Sequence, residues 1–323
     1  MTLVAEKENI LLQTKPQTKR PAAIAVKNVL FATDFSATSE AALPYAAAIC
    51  RHFGSTLHAV HVLSDANVLM MTGGVDYVSM GTIYEDAHTE AKEQLDRLAA
   101  RFADIPFCLY VRHGQVWTNL AGVVEENKVD LIVVGTHGRT GFGKLLLGSV
   151  AEDILRHAPC PVLTVGPRVS GRAKLPALCG RDLAPLELEV RQILYATNFG
   201  PTSSADAALA ASLAEEFRSR LTLLHVMENY AGLGDHPGPI EEGIRRLKEL
   251  AREQAELQYA PETLLEFGDP AKRIVREAND READLLVLGA RPVHELTGAT
   301  HLPWSTAHQV IAHATCPVLT IRG

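Results

Sequence analysis

Residues 29–36 read Val-Leu-Phe-Ala-Thr-Asp-Phe-Ser, and residues 193–200 read Ile-Leu-Tyr-Ala-Thr-Asn-Phe-Gly, 164 positions further along the chain. Each stretch begins with a short, uninterrupted apolar run, which is typical of a strand buried on both faces of a parallel sheet. Each then turns polar, as expected where a strand gives way to a loop. The recurrence of such a stretch indicates an internal duplication.

The duplication extends over most of the chain. Three further segments recur in the same order: Leu57–Val62 as Leu221–Val226, Asp130–Gly135 as Asp284–Gly289, and Cys160–Thr164 as Cys316–Thr320. Because the order is kept, the two copies are expected to share one topology.

The domain organisation follows from the length and the repeat. A chain of 323 residues is about twice the usual length of a single domain. We predict a polar leader over residues 1–25, a first domain over 26–168 and a second over 190–323. Residues 169–189 show no sustained apolar period and are predicted to be the linker.

Helical patterns separate the apolar runs. The predicted helices of the first copy follow residue 36 and run to Phe53, where Gly54 would form a left-handed cap, and then cover about 85–102, 117–127 and 149–157. Strands that alternate with helices predict an α/β fold, here two tandem, doubly wound domains with five parallel strands each. Ligands of such Rossmann-like folds bind beyond the carboxyl ends of the strands.

The composition excludes several classes of protein. The net charge of −7, from 31 basic and 38 acidic residues, gives no reason to expect binding to nucleic acid or to an anionic membrane surface. No apolar run is long enough to span a membrane. The five cysteines are odd in number and contain no C-x-x-C pair, so neither disulfides nor a metal site is predicted, and a cytoplasmic location is expected.

A glycine-rich stretch follows the fourth predicted strand. Residues 135–149 read Gly-Thr-His-Gly-Arg-Thr-Gly-Phe-Gly-Lys-Leu-Leu-Leu-Gly-Ser and lead into a predicted helix, so that backbone amides could surround a phosphate. A Walker A loop would need Ser or Thr at Leu145, and a Rossmann fingerprint would need a small residue at Leu146. Both of these motifs therefore fail.

A third pattern is complete. Gly135, Gly138, Gly148 and Ser149 satisfy G-x2-G-x9-G-[ST], in a chain whose copies begin with Ala-Thr-(Asp/Asn)-Phe and end with Cys-Pro-Val-Leu-Thr. This combination resembles the universal stress protein family in its tandem form. The resemblance implies the adenine nucleotide alpha hydrolase-like variant of the fold, with ATP as the ligand, bound with or without Mg²⁺.

The resemblance also implies roles for residues of the first copy. Asp34, with Ala32 and Thr33, would contact the ribose, and the backbone of Val62 would meet the adenine. The residues that match the phosphate-contacting loop of the family are Gly135, Gly138, Arg139, Gly148, Ser149 and Val150. Two structural alternatives stay open: Asp34 could cap the next helix, and the glycine stretch could be a plain crossover loop.

The second copy departs from this pattern at three positions. Asp34 becomes Asn198, Gly138 becomes Pro292, and Gly148 becomes Trp304. Proline removes an amide donor, and an indole would fill the space that an anion needs. We therefore predict that the second copy does not bind ATP in the manner of the family.

Three functions are compatible with the sequence. The leading hypothesis is a regulatory protein in which ATP bound to the first domain biases a conformation or an assembly state. The alternatives are a slow ATPase or autophosphorylating enzyme, with Ser149 as the acceptor, and a scaffold that needs no nucleotide. No catalytic residue is assigned.

Two segments are expected to make contacts between domains or subunits. The final strands, near residues 162–165 and 318–321, are expected to pair the two halves or the subunits of a homodimer. Residues 64–86 are expected to form a lid, a subunit contact or a surface loop.

Overall fold

The computed structural model describes residues 24–64, 77–136, 147–169, 188–228, 238–254, 257–290 and 302–322. Within these ranges the chain forms a single sheet with helices on both faces. None of the described helices combines the length and the apolar character that a membrane span requires.

Among its described residues, the first half forms five strands and five helices. In chain order they are β1 (Asn28–Ala32), α1 (Ala37–Glu40), α2 (Leu43–Phe53), β2 (Thr56–Leu63), α3 (Tyr77–Ala100), β3 (Phe107–His113), α4 (Val116–Asn127), β4 (Leu131–Gly135), α5 (Ser149–His157) and β5 (Val162–Val165).

The second half repeats this order with one helix between its first two strands. Its elements are β6 (Gln192–Thr197), α6 (Ser203–Phe217), β7 (Arg220–Met227), α7 (Gly238–Glu253), β8 (Glu262–Phe267), α8 (Pro270–Asp280), β9 (Leu285–Ala290), α9 (Leu302–His313) and β10 (Val318–Arg322).

The strand order confirms the predicted fold. The sheet runs β3-β2-β1-β4-β5-β10-β9-β6-β7-β8, so that each half has the same doubly wound order, and all pairs within a half are parallel. In each half the second and third strands are added on one side of the first strand and the fourth on its other side, so the strand order reverses between β1 and β4 and between β6 and β9. These two positions are the switch points at which doubly wound folds place their ligands.

The two halves join through their last strands, as predicted. β5 and β10 pair antiparallel, with Leu163 opposite Leu319, and this pair makes the ten strands continuous. The helices beside it also meet through repeat-related residues. His52 lies 2.8 Å from Glu216, and the rings of Phe53 and Phe217 are 6.1 Å apart. The halves are therefore related by a local pseudo-two-fold axis.

The apolar runs build a core on each face of the sheet. Neighbouring residues of a strand point to opposite faces, so Val29 and Phe31 pack in the core that contains α2, α3, α6 and α7, whereas Leu30 and Ala32 pack in the core under α4, α5, α8 and α9. All four side chains are buried. This two-sided burial explains why the strands read as unbroken apolar sequence.

Helix boundaries agree with the sequence in some places and differ in one. Gly54 ends α2 with φ of 67°, which confirms the predicted left-handed cap. By contrast, α3 begins at Tyr77, well before the predicted start near residue 85. The prediction of a loop over residues 64–86 is therefore wrong for 77–86, and residues 65–76 lie outside the described residues.

Candidate functional site

The loop after β1 is held by Thr33. Its amide donates to the Val60 carbonyl (3.0 Å), which extends the β1–β2 pairing by one residue. Its Oγ1 accepts from the amide of Phe35 (3.0 Å) and lies 3.1 Å from the Ser39 hydroxyl. Thr33 itself is buried. The loop is therefore fixed to the edge of the sheet at one end and to α1 at the other.

Asp34 follows at the predicted ribose position. Its side chain is half-buried, and its Oδ1 accepts from the amide of Ser36 at 3.0 Å, which forms a local Asx turn. The cap of α1 is Ser36, whose Oγ accepts from the Ser39 amide. The alternative in which Asp34 caps the helix is therefore wrong.

Phe35 and His61 form a ring pair that our reading of the sequence did not assign to the site. Phe35 has φ of 59°, which is unusual for a bulky side chain and marks a constrained backbone. Its ring centroid lies 4.4 Å from that of His61. The Nδ1 of His61 donates to the Thr33 carbonyl at 2.8 Å, since a carbonyl can only accept. The recurrence of Phe and His in both copies was the available signal.

The strand register brings the remaining predicted residues to one edge. Ala32 lies between Val60 of β2 and Val134 of β4, and Val62 and Gly135 lie just beyond these partners. Val62 is buried, with 8% of its surface exposed. The described residues that are predicted to contact the nucleotide therefore lie at the carboxyl ends of neighbouring strands or just after them.

Gly135 has a clear packing role. A Cβ at this position would lie 2.5 Å from the Thr38 carbonyl oxygen and 2.9 Å from the Ser39 Cα, which is closer than van der Waals contact permits. Since both contacts are with backbone, α1 rests directly on the end of β4. This packing explains the glycine; contact of Gly135 with a phosphate stays a prediction.

The N-terminus of α5 carries the other described part of the glycine motif. Gly148 is the N-cap residue and its amide donates to the Thr136 carbonyl at 2.7 Å, so this amide is already used. Ser149 is exposed and Val150 is 38% exposed. The N-cap residue makes no side-chain hydrogen bond to the helix, and the first-turn amides have no acceptor within a helix. These amides suit an anion.

Some of the predicted positions cannot be placed. Gly138 and Arg139 lie outside the described residues, as does Pro292 of the second copy. Trp304 falls within α9, but its side chain is not among those described. The predictions for these four residues stay predictions.

The second half repeats the framework of the first. Asn198 accepts from the amide of Gly200 (2.9 Å), and His225 Nδ1 donates to the Thr197 carbonyl (2.8 Å). Phe199 has φ of 56°, and its ring lies 4.2 Å from that of His225. Burial lowers the pKa of His225 below its usual value, and the nearby charge of Arg246 adds to this. Both loops therefore fold alike, so a functional difference must come from the exchange of Asp34 for Asn198 or from what surrounds the loops.

Among the described residues, Arg246 is the first such difference. It projects from α7 and its guanidinium carbon lies 4.3 Å from the ring centroid of Phe199. It also donates to the Phe199 carbonyl at 3.0 Å. An arginine held by a ring and a carbonyl occupies the space beside the loop. Sequence reasoning missed this contact because nothing local marks it.

Asp206 is the second difference. It is 3% exposed, and burial raises the pKa of its carboxyl group although Thr202 donates a hydrogen bond to it at 2.9 Å. A Cβ on Gly289 would lie 2.5 Å from Asp206 Oδ2. A carboxyl group thus lies where the loop after β9 begins, and the residue 164 positions earlier is Ala42. A carboxylate there would repel a phosphate.

The described residues hold little that points to catalysis or metal binding. Glu152, in the first turn of α5, forms an ion pair with Arg156 at 2.5 Å. No three His, Cys, Asp or Glu side chains come together as a metal site within the described ranges. The described part of this edge offers backbone amides, the Asp34 carboxylate and hydroxyl groups.

Fold and site together define a tandem α/β protein with a candidate anion-binding edge in its first half. Comparison with known proteins gives the family: the model of the universal stress protein family matches residues 25–166 and again 189–322. The chain therefore belongs to the universal stress protein family.

Relatives match either one half or the whole chain. A universal stress protein of Mycolicibacterium smegmatis is 27% identical over 315 residues, which are 91% of this chain and 96% of that protein. Universal stress protein A homolog 1 of Coxiella burnetii is 34% identical over 140 residues, 43% of this chain and 95% of that protein. The crystal structure of a universal stress protein from Archaeoglobus fulgidus matches with a TM-score of 0.67 at 19% identity and covers 91% of this chain and 98% of that one. This likeness supports the tandem fold.

Proposed function

We propose that this protein is a regulatory ATP-binding protein that takes up one ATP per chain, in its first domain. Nucleotide occupancy would bias a conformation or an assembly state that other proteins recognise. The observation that carries the proposal is the exposed N-terminus of α5, which the Gly148–Thr136 hydrogen bond holds at the sheet edge where Asp34 also lies.

The two ends of this edge suit the two ends of a nucleotide. Asp34 is half-buried at the carboxyl end of β1, where a carboxylate can accept hydrogen bonds from the two ribose hydroxyls. The first-turn amides of α5, beginning at Ser149, would donate to phosphate oxygens, with the helix dipole adding to the attraction. These groups match the donor and acceptor pattern of a sugar followed by an anion.

The restriction to one site rests on the differences between the halves. The second half keeps the loop geometry, with Asn198 in place of Asp34. Arg246 is packed on Phe199 beside that loop, and the Asp206 carboxyl group lies at the start of the next one. An uncharged side chain at the proposed ribose position, an arginine packed against the loop and a carboxyl group at the start of the next loop all act against ATP.

Isothermal titration with Mg-ATP tests the proposal, after bound nucleotide has been removed and its absence checked by mass spectrometry. We expect one site per chain. Asp34→Ala should weaken binding about 10- to 100-fold, because it removes hydrogen bonds to a charged acceptor. The repeat-matched control, Asn198→Ala, should leave the affinity within about twofold.

A second variant blocks the phosphate end. Gly148 has φ of −65° and ψ of 148°, which any residue adopts, so Gly148→Trp should fold and yet prevent ATP binding. Two equivalent sites per chain, or wild-type affinity in this variant, would contradict the proposal. Rapid single-turnover release of phosphate, or phosphate on Ser149, would instead favour an enzyme.

The regulatory part of the proposal needs its own readout. Sedimentation or small-angle scattering should differ between the ATP-free and ATP-saturated chain and should not respond to ATP in Gly148→Trp. If ATP binds but changes neither quantity, the protein is a nucleotide carrier and not a switch.

A further inference from the structure

A cavity of about 540 Å³ lies where the two halves meet, on the face of the sheet that carries α2 and α6. Its walls come in repeat-related pairs, such as Phe53 with Phe217 and Leu163 with Leu319. It is separate from the proposed ATP edge, because its lining includes the strand starts near residues 130 and 284. Its volume is in the range of small-molecule sites.

The charges around the cavity restrict its ligand. The ionisable acids and bases of its lining are Asp130, Glu189 and Asp284, all of them acidic. Asp130 and Asp284 each accept two backbone hydrogen bonds at 2.7–3.0 Å. These carboxylates are therefore satisfied already and do not call for a bound cation. Glu189 is paired at 2.7 Å with Arg191, which lies outside the lining. An anionic head group would meet repulsion from Asp130 and Asp284 without any lysine or arginine of the lining to offset it.

The pseudo-two-fold symmetry restricts the ligand further. Because both halves present similar apolar walls, a lipid with one polar and one apolar end would find no place for a polar head group apart from the carboxylates of the lining. A compact, mostly apolar molecule fits these walls better.

Tyr45 breaks the symmetry and adds one polar group. Leu209 holds the corresponding place in the second half, and both residues line the cavity. Tyr45 is 7% exposed, and its hydroxyl has no hydrogen-bond partner among the residues that the structure describes. Burial raises the pKa of this hydroxyl to about 12, so it is protonated at neutral pH. The hydroxyl oxygen is not itself fully buried, and Tyr45 lines the cavity, so this hydroxyl can donate to a bound molecule.

We propose that this cavity binds a neutral, largely apolar small molecule whose carbonyl or other acceptor group takes a hydrogen bond from Tyr45. The ligand would contact both halves at once. Its binding would therefore stabilise their junction, independently of whether ATP binds at the other site.

The test uses two dyes and the full-length chain. Prodan is a neutral naphthalene ketone whose emission shifts to the blue in an apolar site, and anilinonaphthalene sulfonate is an anion of similar size. We expect saturable binding of one Prodan per chain, with the sulfonate at least tenfold weaker.

Two tryptophan variants locate the site. Ser212 lines the cavity and is half-buried, so Ser212→Trp should fill the space and abolish Prodan binding. Ser204 lies on the same helix but is exposed and outside the lining, so Ser204→Trp is the matched control and should bind normally. Equal circular dichroism spectra of both variants would show that each is folded.

Tyr45→Phe tests the hydrogen bond. It should weaken Prodan binding about three- to tenfold, which is the usual worth of one neutral hydrogen bond. Diphenylhexatriene has no acceptor, and its binding should not change in this variant. Equal losses for both dyes would mean that Tyr45 acts through shape alone and would overturn its proposed role.

Three results would overturn the site itself. The first is no saturable Prodan binding, or tighter binding of the sulfonate. The second is Prodan binding that appears only after Leu11→Ser and Leu12→Ser, which would make the leader the occupant. The third is a dimer in sedimentation that Ser212→Trp dissociates, which would make a second copy the occupant.

Discussion

A single methyl group at position 135 tests how the proposed ATP site is supported. The added Cβ of Gly135→Ala would lie 2.5 Å from the Thr38 carbonyl oxygen and 2.9 Å from the Ser39 Cα. Helix α1 must therefore retreat by about 1 Å before these contacts become ordinary. Overpacking of this kind costs about 1–3 kcal/mol. Displacement of α1 also weakens the Ser36 cap, at roughly 1 kcal/mol.

We therefore expect Gly135→Ala to lower the free energy of unfolding by about 2–4 kcal/mol, measured by urea denaturation followed by circular dichroism. Its affinity for ATP should also fall at least tenfold, because the loop that holds Asp34 is tied to α1 through Thr33 and Ser39. Titration calorimetry without urea, where the variant is fully folded, measures the loss of ATP affinity separately from the loss of stability.

The matched control is Gly122→Ala on α4. A Cβ there would meet Glu126 Oε1 at 3.9 Å, which is an ordinary contact, and alanine is favoured over glycine in a helix by about 0.5–1 kcal/mol. This variant should be slightly more stable and should bind ATP as wild type does. If Gly135→Ala matched it in both stability and ATP affinity, the close packing of α1 on β4 would be refuted.

Three further predictions concern the junction, the second half and pH. Thr164 Oγ1 donates to the Val318 carbonyl, whereas the Oγ1 of its repeat counterpart Thr320 is buried without a partner among the described residues. Thr164→Val should therefore lower the free energy of unfolding by about 1 kcal/mol, and Thr320→Val should raise it by about the same amount. Both changes can be measured by urea denaturation. Arg246→Ala should cost roughly 1–2 kcal/mol in the same assay, through the lost ring and carbonyl contacts. Burial lowers the pKa values of His58 and His225, so the folded state binds fewer protons than the unfolded one. The free energy of unfolding should therefore decrease as the pH falls below about 6.5. In a chain with both histidines replaced by asparagine, urea denaturation at several pH values should show a smaller decrease.

Much of the architecture could be read from the sequence alone. Unbroken apolar runs marked the strands, their recurrence marked the two halves, and Gly54 marked the end of α2. These features depend on burial of both faces of a strand and on backbone angles at one residue, which act over a few positions of the chain. The start of α3 was missed because its first turns hold Gly81 and several β-branched or aromatic residues, which are weak helix formers.

The proposed site could be located but not explained in this way. The order of strands and loops placed Asp34 and Ser149 at one sheet edge, since carboxyl ends of parallel strands meet there. Which residue caps α1 required the structure, because Asp34 and Ser36 are both good caps and geometry chose Ser36. The reason for Gly135 lay in the approach of α1 across the sheet, and no local pattern reports such an approach.

The sequence by itself determined the elements, their order and the duplication, because each depends on residues that are close along the chain. The tertiary structure decided what those elements meet. It joined β5 to β10, set Arg246 on Phe199 and Asp206 against Gly289, and left a half-open cavity between the halves. These contacts depend on distances between residues far apart in sequence, which are fixed when the helices pack on the completed sheet.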